Sequence, residues 1–423
     1  MNRLDEVGAR ARAAARQMTR AAHDQRVDAL HRLAELLDTE SAKILAANDD
    51  DVAAARAEGR AESWIDRLRL DRARLAGIAR DLLTVADLPD PLGQAYDQRR
   101  LPSGIAVERV RVPLGVLAVI YESRPNVTID IAALAIKTGN VAILRGGSDT
   151  LRSNRALLAA VYQALDGAGL PRDAVQLLID PDRSLVNDLL RLHEYVDLVI
   201  PRGGNELHRF CRENATVPVI TGGIGICHLY LDASADLSAS LPVIRNAKVQ
   251  RPSVCNALDT LLVHERVAAR ALRAVVDLLA QDGVTFRAEP HATLALGALP
   301  DDLAARVAPA GPQDFDTEWL SLVLGLKVVS DLEAAIAHIE QHSTAHSDGI
   351  LTEDRVLAEQ FLSRVDSAAV YWNASTRFTD GAQLGLGAEV AVSTQRLHAR
   401  GPMGLPEMTT YKWVIRGSYT TRA

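Results

Sequence analysis

An α/β fold built on open parallel sheets is predicted for this chain of 423 residues, and three observations predict it. Short apolar runs alternate with segments of helical period from Leu114 onward, two of those runs end in a glycine pair just before a helix, and the alternation resumes after residue 255. At 48% hydrophobic and 24% charged residues the chain is long enough for two or more cores, because a single core stops growing at about 250–300 residues.

The first ninety residues read as helix. Leu30, Leu33, Leu36 and Leu37, then Leu75, Ile78, Leu82 and Val85, recur at three- and four-residue spacing, and no Gly or Pro cluster interrupts them before Leu88-Pro89-Asp90-Pro91. Strands follow at 115–121, 141–144, 175–179, 196–200, 217–221 and 228–232, with helical period at 154–165 and 206–213 between them. That β-α-β order requires a parallel sheet with helices on its faces. A second unit runs through the helical stretch 267–280, the strand 323–329 and the helical stretch 332–340, which leaves Cys255 near a boundary, where ligand clefts are common. Two strands stand outside the pattern. Residues 410–417 alternate through Tyr411, Trp413 and Ile415, and residues 108–112 put Arg109 and Arg111 on one face; both predict arms that pair in a homo-oligomer.

Several function classes are excluded. A net charge of -7 with interspersed signs offers no basic surface for nucleic acid, and 4% aromatic content argues against base-stacking platforms. No run of 18 apolar residues and no apolar leader occurs, so a cytoplasmic protein that does not enter membranes is expected. The cysteines, Cys211, Cys227 and Cys255, are odd in number and lack CxxC spacing, which argues against disulfides and against a structural metal.

The glycine pairs Gly146-Gly147 and Gly203-Gly204 sit at strand-to-helix turns, where bare backbone N–H groups and a helix N-terminus suit a phosphate or pyrophosphate. Neither is a GxGxxG fingerprint, and ordinary turn chemistry is the commoner reason for either pair. Arg145 beside the first pair suits a ribose 2′-phosphate and leans toward NADPH, while Asp149 suits a ribose hydroxyl if the turn folds back.

Cys255 lies in the polar stretch Lys248-Val249-Gln250-Arg251-Pro252-Ser253-Val254-Cys255-Asn256, where Lys248 and Arg251 supply cations able to favour a thiolate. Cys211 and Cys227 lie in apolar settings and read as packing residues. Composition alone leaves Cys255 open between a nucleophile and a packing residue. The cluster His346-Ser347-Asp348 is open between chemistry and an ordinary turn or cap.

Residues 250–257, Gln-Arg-Pro-Ser-Val-Cys-Asn-Ala, resemble the active-site segment of the gamma-glutamyl phosphate reductases, a branch of the aldehyde dehydrogenase superfamily. Tyr121-Glu122-Ser123-Arg124-Pro125-Asn126-Val127-Thr128, Lys137-Thr138-Gly139-Asn140, residues 221–228, His346-Ser347-Asp348, residues 373–378 and residues 397–402 resemble further blocks of that family, in its order. Ile224 departs from it, standing where part of the family has an acid.

The resemblance implies an aldehyde dehydrogenase-like fold: an NADPH-binding domain over 1–97 and 113–228, a catalytic domain over 229–400, and an oligomerisation arm over 98–112 and 401–423. It implies that Cys255 is the nucleophile, that the Asn126 amide helps form an oxyanion hole, that Arg145 holds the adenosine ribose, and that Glu318 binds the nicotinamide ribose. Bland alternatives are a helix cap for Asn126, a solvated charge for Arg145 and a surface carboxylate for Glu318. Arg124, Arg251, His346 and Arg377 are candidates for holding the substrate. Ile220-Thr221-Gly222-Gly223 stands where hydrolytic aldehyde dehydrogenases carry Glu-Leu-Gly-Gly, so the base that lets water cleave a thioester is missing. The expected reaction is reduction of L-glutamate 5-phosphate by NADPH in proline biosynthesis, functionally coupled to glutamate 5-kinase, with no metal.

Overall fold

Strand order follows from the apolar runs. The computed structural model describes residues 4–222 and 224–422, and the chain divides into two compact units, one of residues 1–222, 385–391 and 402–423, the other of residues 223–384 and 392–401.

The first unit contains β1 (Ala95–Arg100), β2 (Ala106–Pro113), β3 (Val116–Tyr121), β4 (Val141–Arg145), β5 (Val175–Leu177) and β6 (Leu198–Arg202). The last four form a parallel sheet in the order β5-β4-β3-β6. Every residue of β3 and β4 is buried, which is why these strands read as continuous apolar runs rather than as alternation. The leader is helical as predicted. Helix His23–Thr39 packs on helices Arg72–Asp87 and Leu151–Gly167 through the predicted stripe of Leu30, Leu33 and Leu37, each fully buried. Asp51, itself buried, accepts the Ser153 N–H at 2.8 Å and its hydroxyl at 2.7 Å, satisfying the start of that last helix. The expected strand at 217–221 is reduced to one bridge between Val199 and Val219.

β1, β2 and the C-terminal strand Thr409–Arg416 form a separate antiparallel sheet. β1, too polar to read as a strand, was not expected. Arg109 lies over Tyr411 and Trp413, 4.7 and 4.6 Å from the ring centres, and Arg111 over Tyr96 at 5.4 Å.

The second unit is a seven-stranded parallel sheet of β7 (Cys227–Leu231), β8 (Leu258–His264), β9 (Thr285–Ala288), β10 (Val307–Pro309), β11 (Val323–Val329), β12 (Ser347–Leu351) and β13 (Ala369–Trp372), in the order β10-β9-β11-β8-β7-β12-β13. Alternation sorts its two faces. Leu229, Leu231, Leu261 and Val263 join helix Ala268–Leu279 in one core, while Tyr230 and Leu262 join Ile336, Ile350 and Phe361 in the other. β7 hydrogen-bonds into this sheet, and the compact units part between residues 222 and 223, whereas the sequence placed the domain boundary after 228. Of the cluster His346-Ser347-Asp348, the last two residues open the buried strand β12 and His346 stands in the bend just before it. The cluster's polarity is tolerated because Asp348 accepts the His228 N–H at 2.9 Å, His228 Nδ1 at 3.0 Å and the Ser343 hydroxyl at 2.6 Å.

Candidate active site

Cys255 stands on the loop between helix Leu237–Val249 and β8. Asp236 caps the helix by accepting the Ser238 N–H at 2.8 Å, and burial of all of β8 anchors the other end. The loop, with β7 and β12, gathers at the amino ends of the strands, opposite to the carboxyl-end crevice that open parallel sheets ordinarily use.

Of the three cysteines, Cys255 alone is partly exposed; Cys211 and Cys227 are buried. Burial pushes the Cys211 thiol up to about 11 and the Cys227 thiol well above its usual range, with Asp348 and Asp259 adding to the effect. Both remain protonated thiols at neutral pH, as their packing role requires. Cys227 does more than pack: its Sγ donates to the Cys255 carbonyl at 3.2 Å. Gly225 approaches the same carbonyl so closely that no side chain fits. The Gly225 N–H donates to Glu318 at 3.0 Å, so Glu318 is held beside the Cys255 loop, and burial raises its pKa.

Lys248 does not serve as the expected cation for the thiol. It is fully buried, donates to the Leu258 carbonyl at 2.7 Å and meets Asp259 at 3.4 Å. Burial lowers its pKa, opposed by Asp259, and raises Asp259 to about 6. Arg251 is exposed. Arg377 is half-buried; Nε donates to Gln250 at 2.9 Å and another nitrogen to Asn256. Its pKa is lowered chiefly by burial, with Asp380 opposing and Arg251 adding, so two guanidinium groups share the neighbourhood of the loop. His346 is completely buried, with Nδ1 2.8 Å from the Ser347 hydroxyl and 4.0 Å from Cys227 Sγ. Burial lowers it to about 4, so it is neutral at pH 7 and faces protein, not solvent. Among the described residues Nε2 has no hydrogen-bond partner.

In the first unit, both glycine pairs lie at carboxyl ends of parallel strands, after β4 and β6. β3 leads to β4 on one side and pairs with β6 on the other, and this change of direction is where such sheets bind nucleotides. A Cβ on Gly203 would lie 2.5 Å from the Glu122 carboxylate, which accepts the Gly204 N–H at 3.2 Å. Space above Gly204 is open, with nothing within 4 Å of a Cβ there, and helix Asn205–Asn214 begins immediately after it. The open space and the helix N-terminus suit an anion, but Glu122 occupies the Gly204 N–H and would have to yield it to a dinucleotide phosphate. At the other pair the Ser123 hydroxyl and Trp64 Nε1 donate to Asp149 at 2.6 and 3.0 Å. Arg145 is buried rather than solvated; it donates to the carbonyls of Gly146 and, at 3.0 Å, Pro181, and Nε has no partner among the described residues. Burial lowers its pKa, opposed by Asp180.

Asn126 opens helix Asn126–Lys137 without capping it; its amide donates to Asp130 at 2.8 Å. Desolvation raises Asp130 to about 6 despite that bond. Arg124 is exposed in the turn just before this helix. Sequence reasoning missed Gly225, Cys227, Asn256 and Thr379 as parts of the thiol's setting. Only the glycine run at 222–225 carried a signal, that of a close backbone approach.

One α/β unit carries glycine turns at the carboxyl ends of parallel strands and the other a partly exposed thiol on an amino-end loop, the parts that a nucleotide-dependent dehydrogenase would need. The aldehyde dehydrogenase family model matches residues 2–301, and the chain belongs to that family, whose enzymes use NAD(P). Among its relatives are gamma-glutamyl phosphate reductases from Aeromonas salmonicida, 54% identical over 98% of this chain and 99% of the relative, and from Escherichia coli O1:K1 / APEC, 52% identical over 99% and 100%. The crystal structure of gamma-glutamyl phosphate reductase from Thermotoga maritima superposes with a TM-score of 0.95 at 46% identity, covering 99% of this chain and 100% of that one. No helix among the described residues is long and apolar enough to cross a membrane.

Proposed function

We propose that this chain reduces L-glutamate 5-phosphate to L-glutamate 5-semialdehyde and phosphate, the reductive step toward proline, with NADPH as the reductant. The observation that carries this reading is likeness over nearly the whole chain, at 52–54% identity, to enzymes named for reduction of gamma-glutamyl phosphate.

In the proposed mechanism the Cys255 thiolate attacks the acyl carbon, forming the C–S bond, and the oxyanion that develops on the former carbonyl accepts hydrogen bonds from the Cys255 N–H and the Asn126 amide. Collapse of this adduct breaks the C–O bond, and phosphate leaves with its electron pair. NADPH, when bound, supplies hydride to the resulting thioester; the Gly146-Gly147 and Gly203-Gly204 turns, Arg145 and Glu318 are the groups proposed to hold it. Expulsion of the thiolate then releases the aldehyde. Arg124 and Arg251, both exposed, and Arg377 supply charge for the substrate's anionic groups; buried His346 would act from behind the loop. Ile220 is buried and cannot activate water, which supports a thioester kept for transfer rather than hydrolysis.

On the same reading the protein works in the cytoplasm, draws its acyl phosphate from glutamate 5-kinase, and assembles through the arm, whose Trp413 and Ile415 are 44% and 62% exposed. The test is the reverse reaction: pyrroline-5-carboxylate and NADP, with and without inorganic phosphate, followed by NADPH absorbance. Oxidation is expected only with phosphate. A comparable rate without it would favour a hydrolytic aldehyde dehydrogenase.

A further inference from the structure

We propose that Asn256 is a positioning residue that locks the Cys255 peptide in its reactive geometry. This rests on Cys255 being the nucleophile. A thiol on a loop has no strand ladder to hold it, and Pro252 removes one further backbone donor. Asn256, 4% exposed, compensates by engaging a single distant segment with three of its polar groups. Its amide donates to the carbonyls of Thr379 at 2.9 Å and Arg377 at 3.3 Å. The side-chain oxygen accepts from the Arg377 guanidinium, and the main-chain carbonyl accepts the Thr376 hydroxyl at 2.7 Å.

That segment is itself anchored to the sheet. The Thr379 hydroxyl meets Ser347 Oγ at 2.6 Å and the Tyr371 hydroxyl at 2.5 Å, which ties it to β12 and β13. From the other side, Cys227 and Gly225 close on the Cys255 carbonyl. The peptide between Cys255 and Asn256 is therefore gripped from two directions, by residues 28 and 121 positions away in sequence. Its grip matters for rate because a displacement of about 1 Å in a reacting group costs on the order of a hundredfold.

Three variants test this in the reverse assay: Asn256→Ala, Asn256→Asp, which keeps the acceptor for Arg377 but loses the amide donors, and Thr376→Val, a near-isosteric change that removes one hydrogen bond and guards against a failure of Asn256→Ala to fold. Turnover, KM, thermal midpoint and the rate of Cys255 alkylation by iodoacetamide are measured on each, with Cys255→Ser alongside. The expected result is a kcat lower by about ten- to a hundredfold in the Asn256 variants and less in Thr376→Val, with KM little changed and alkylation as fast as in the parent or faster. Such a split separates a mispositioned thiol from a lost one. Folded variants that keep the parent's kcat, or whose kcat falls only in proportion to the unfolded fraction, would overturn the inference alone. An active Cys255→Ser protein would overturn the nucleophile assignment beneath it.

Discussion

The carbonyl oxygen of Cys255 lies 1.5 Å from the point that a Cβ on Gly225 would occupy. Backbone stands there, not the yielding end of a side chain, so any other residue at 225 must push the two chains apart. Gly225→Ala is expected to fold, since the clash is confined to one loop, but to lose turnover by about a hundredfold. Its thermal midpoint and steady-state kcat check this; a fully active Gly225→Ala protein would show that the contact does not govern the thiol.

Cys255→Ser should lower turnover by roughly a thousandfold or more, because a hydroxyl does not ionise near neutral pH. Cys211→Ser, in a different unit from the loop, should leave turnover unchanged. Cys227→Ser keeps a donor beneath the Cys255 carbonyl and should retain most of it. Single-turnover NADPH formation and cofactor affinity on all three variants separate lost chemistry from lost structure.

Arg145→Gln should weaken NADPH about ten- to a hundredfold, equivalent to ~1–3 kcal/mol, while NADH is little affected. Gln is chosen over an acid because the wild-type guanidinium faces carbonyl oxygens, against which a carboxylate would be repelled. Titrating both cofactors into the variant decides the matter, and equal losses would assign Arg145 to the fold rather than to the 2′-phosphate.

His346 should make stability sensitive to mild acid. Its pKa falls from 6.5 in the unfolded chain to about 4 when buried, so between those values the unfolded state takes up a proton that the folded state refuses. Stability from this source is intact above about pH 6.5 and declines as pH falls toward 4, by up to about 3 kcal/mol. Urea unfolding at several pH values, for the parent and His346→Asn, should show a shallower acid loss in the variant; parallel curves would discount the buried imidazole.

Much of the architecture was legible from local pattern. Fully buried parallel strands such as β3 and β4 need unbroken apolar runs, and helix His23–Thr39 needs its leucine stripe, so burial wrote both into short stretches of sequence. Cys255 was singled out for a different reason: the resemblance of several ordered blocks puts the reactive role on one thiol, which composition had left open. Where polar groups find their partners was not legible. His346-Ser347-Asp348 reads as a turn until His228, 120 residues away, satisfies Asp348 inside a sheet, and Lys248 reads as a cation for the thiol until Asp259 engages it. The same holds for Asn256 and Thr379, 123 residues apart. Periodicity reports which face a residue turns to the core, because that is set by the residue's own backbone, whereas the partner of a buried polar atom is set by whichever distant segment the completed sheet brings beside it.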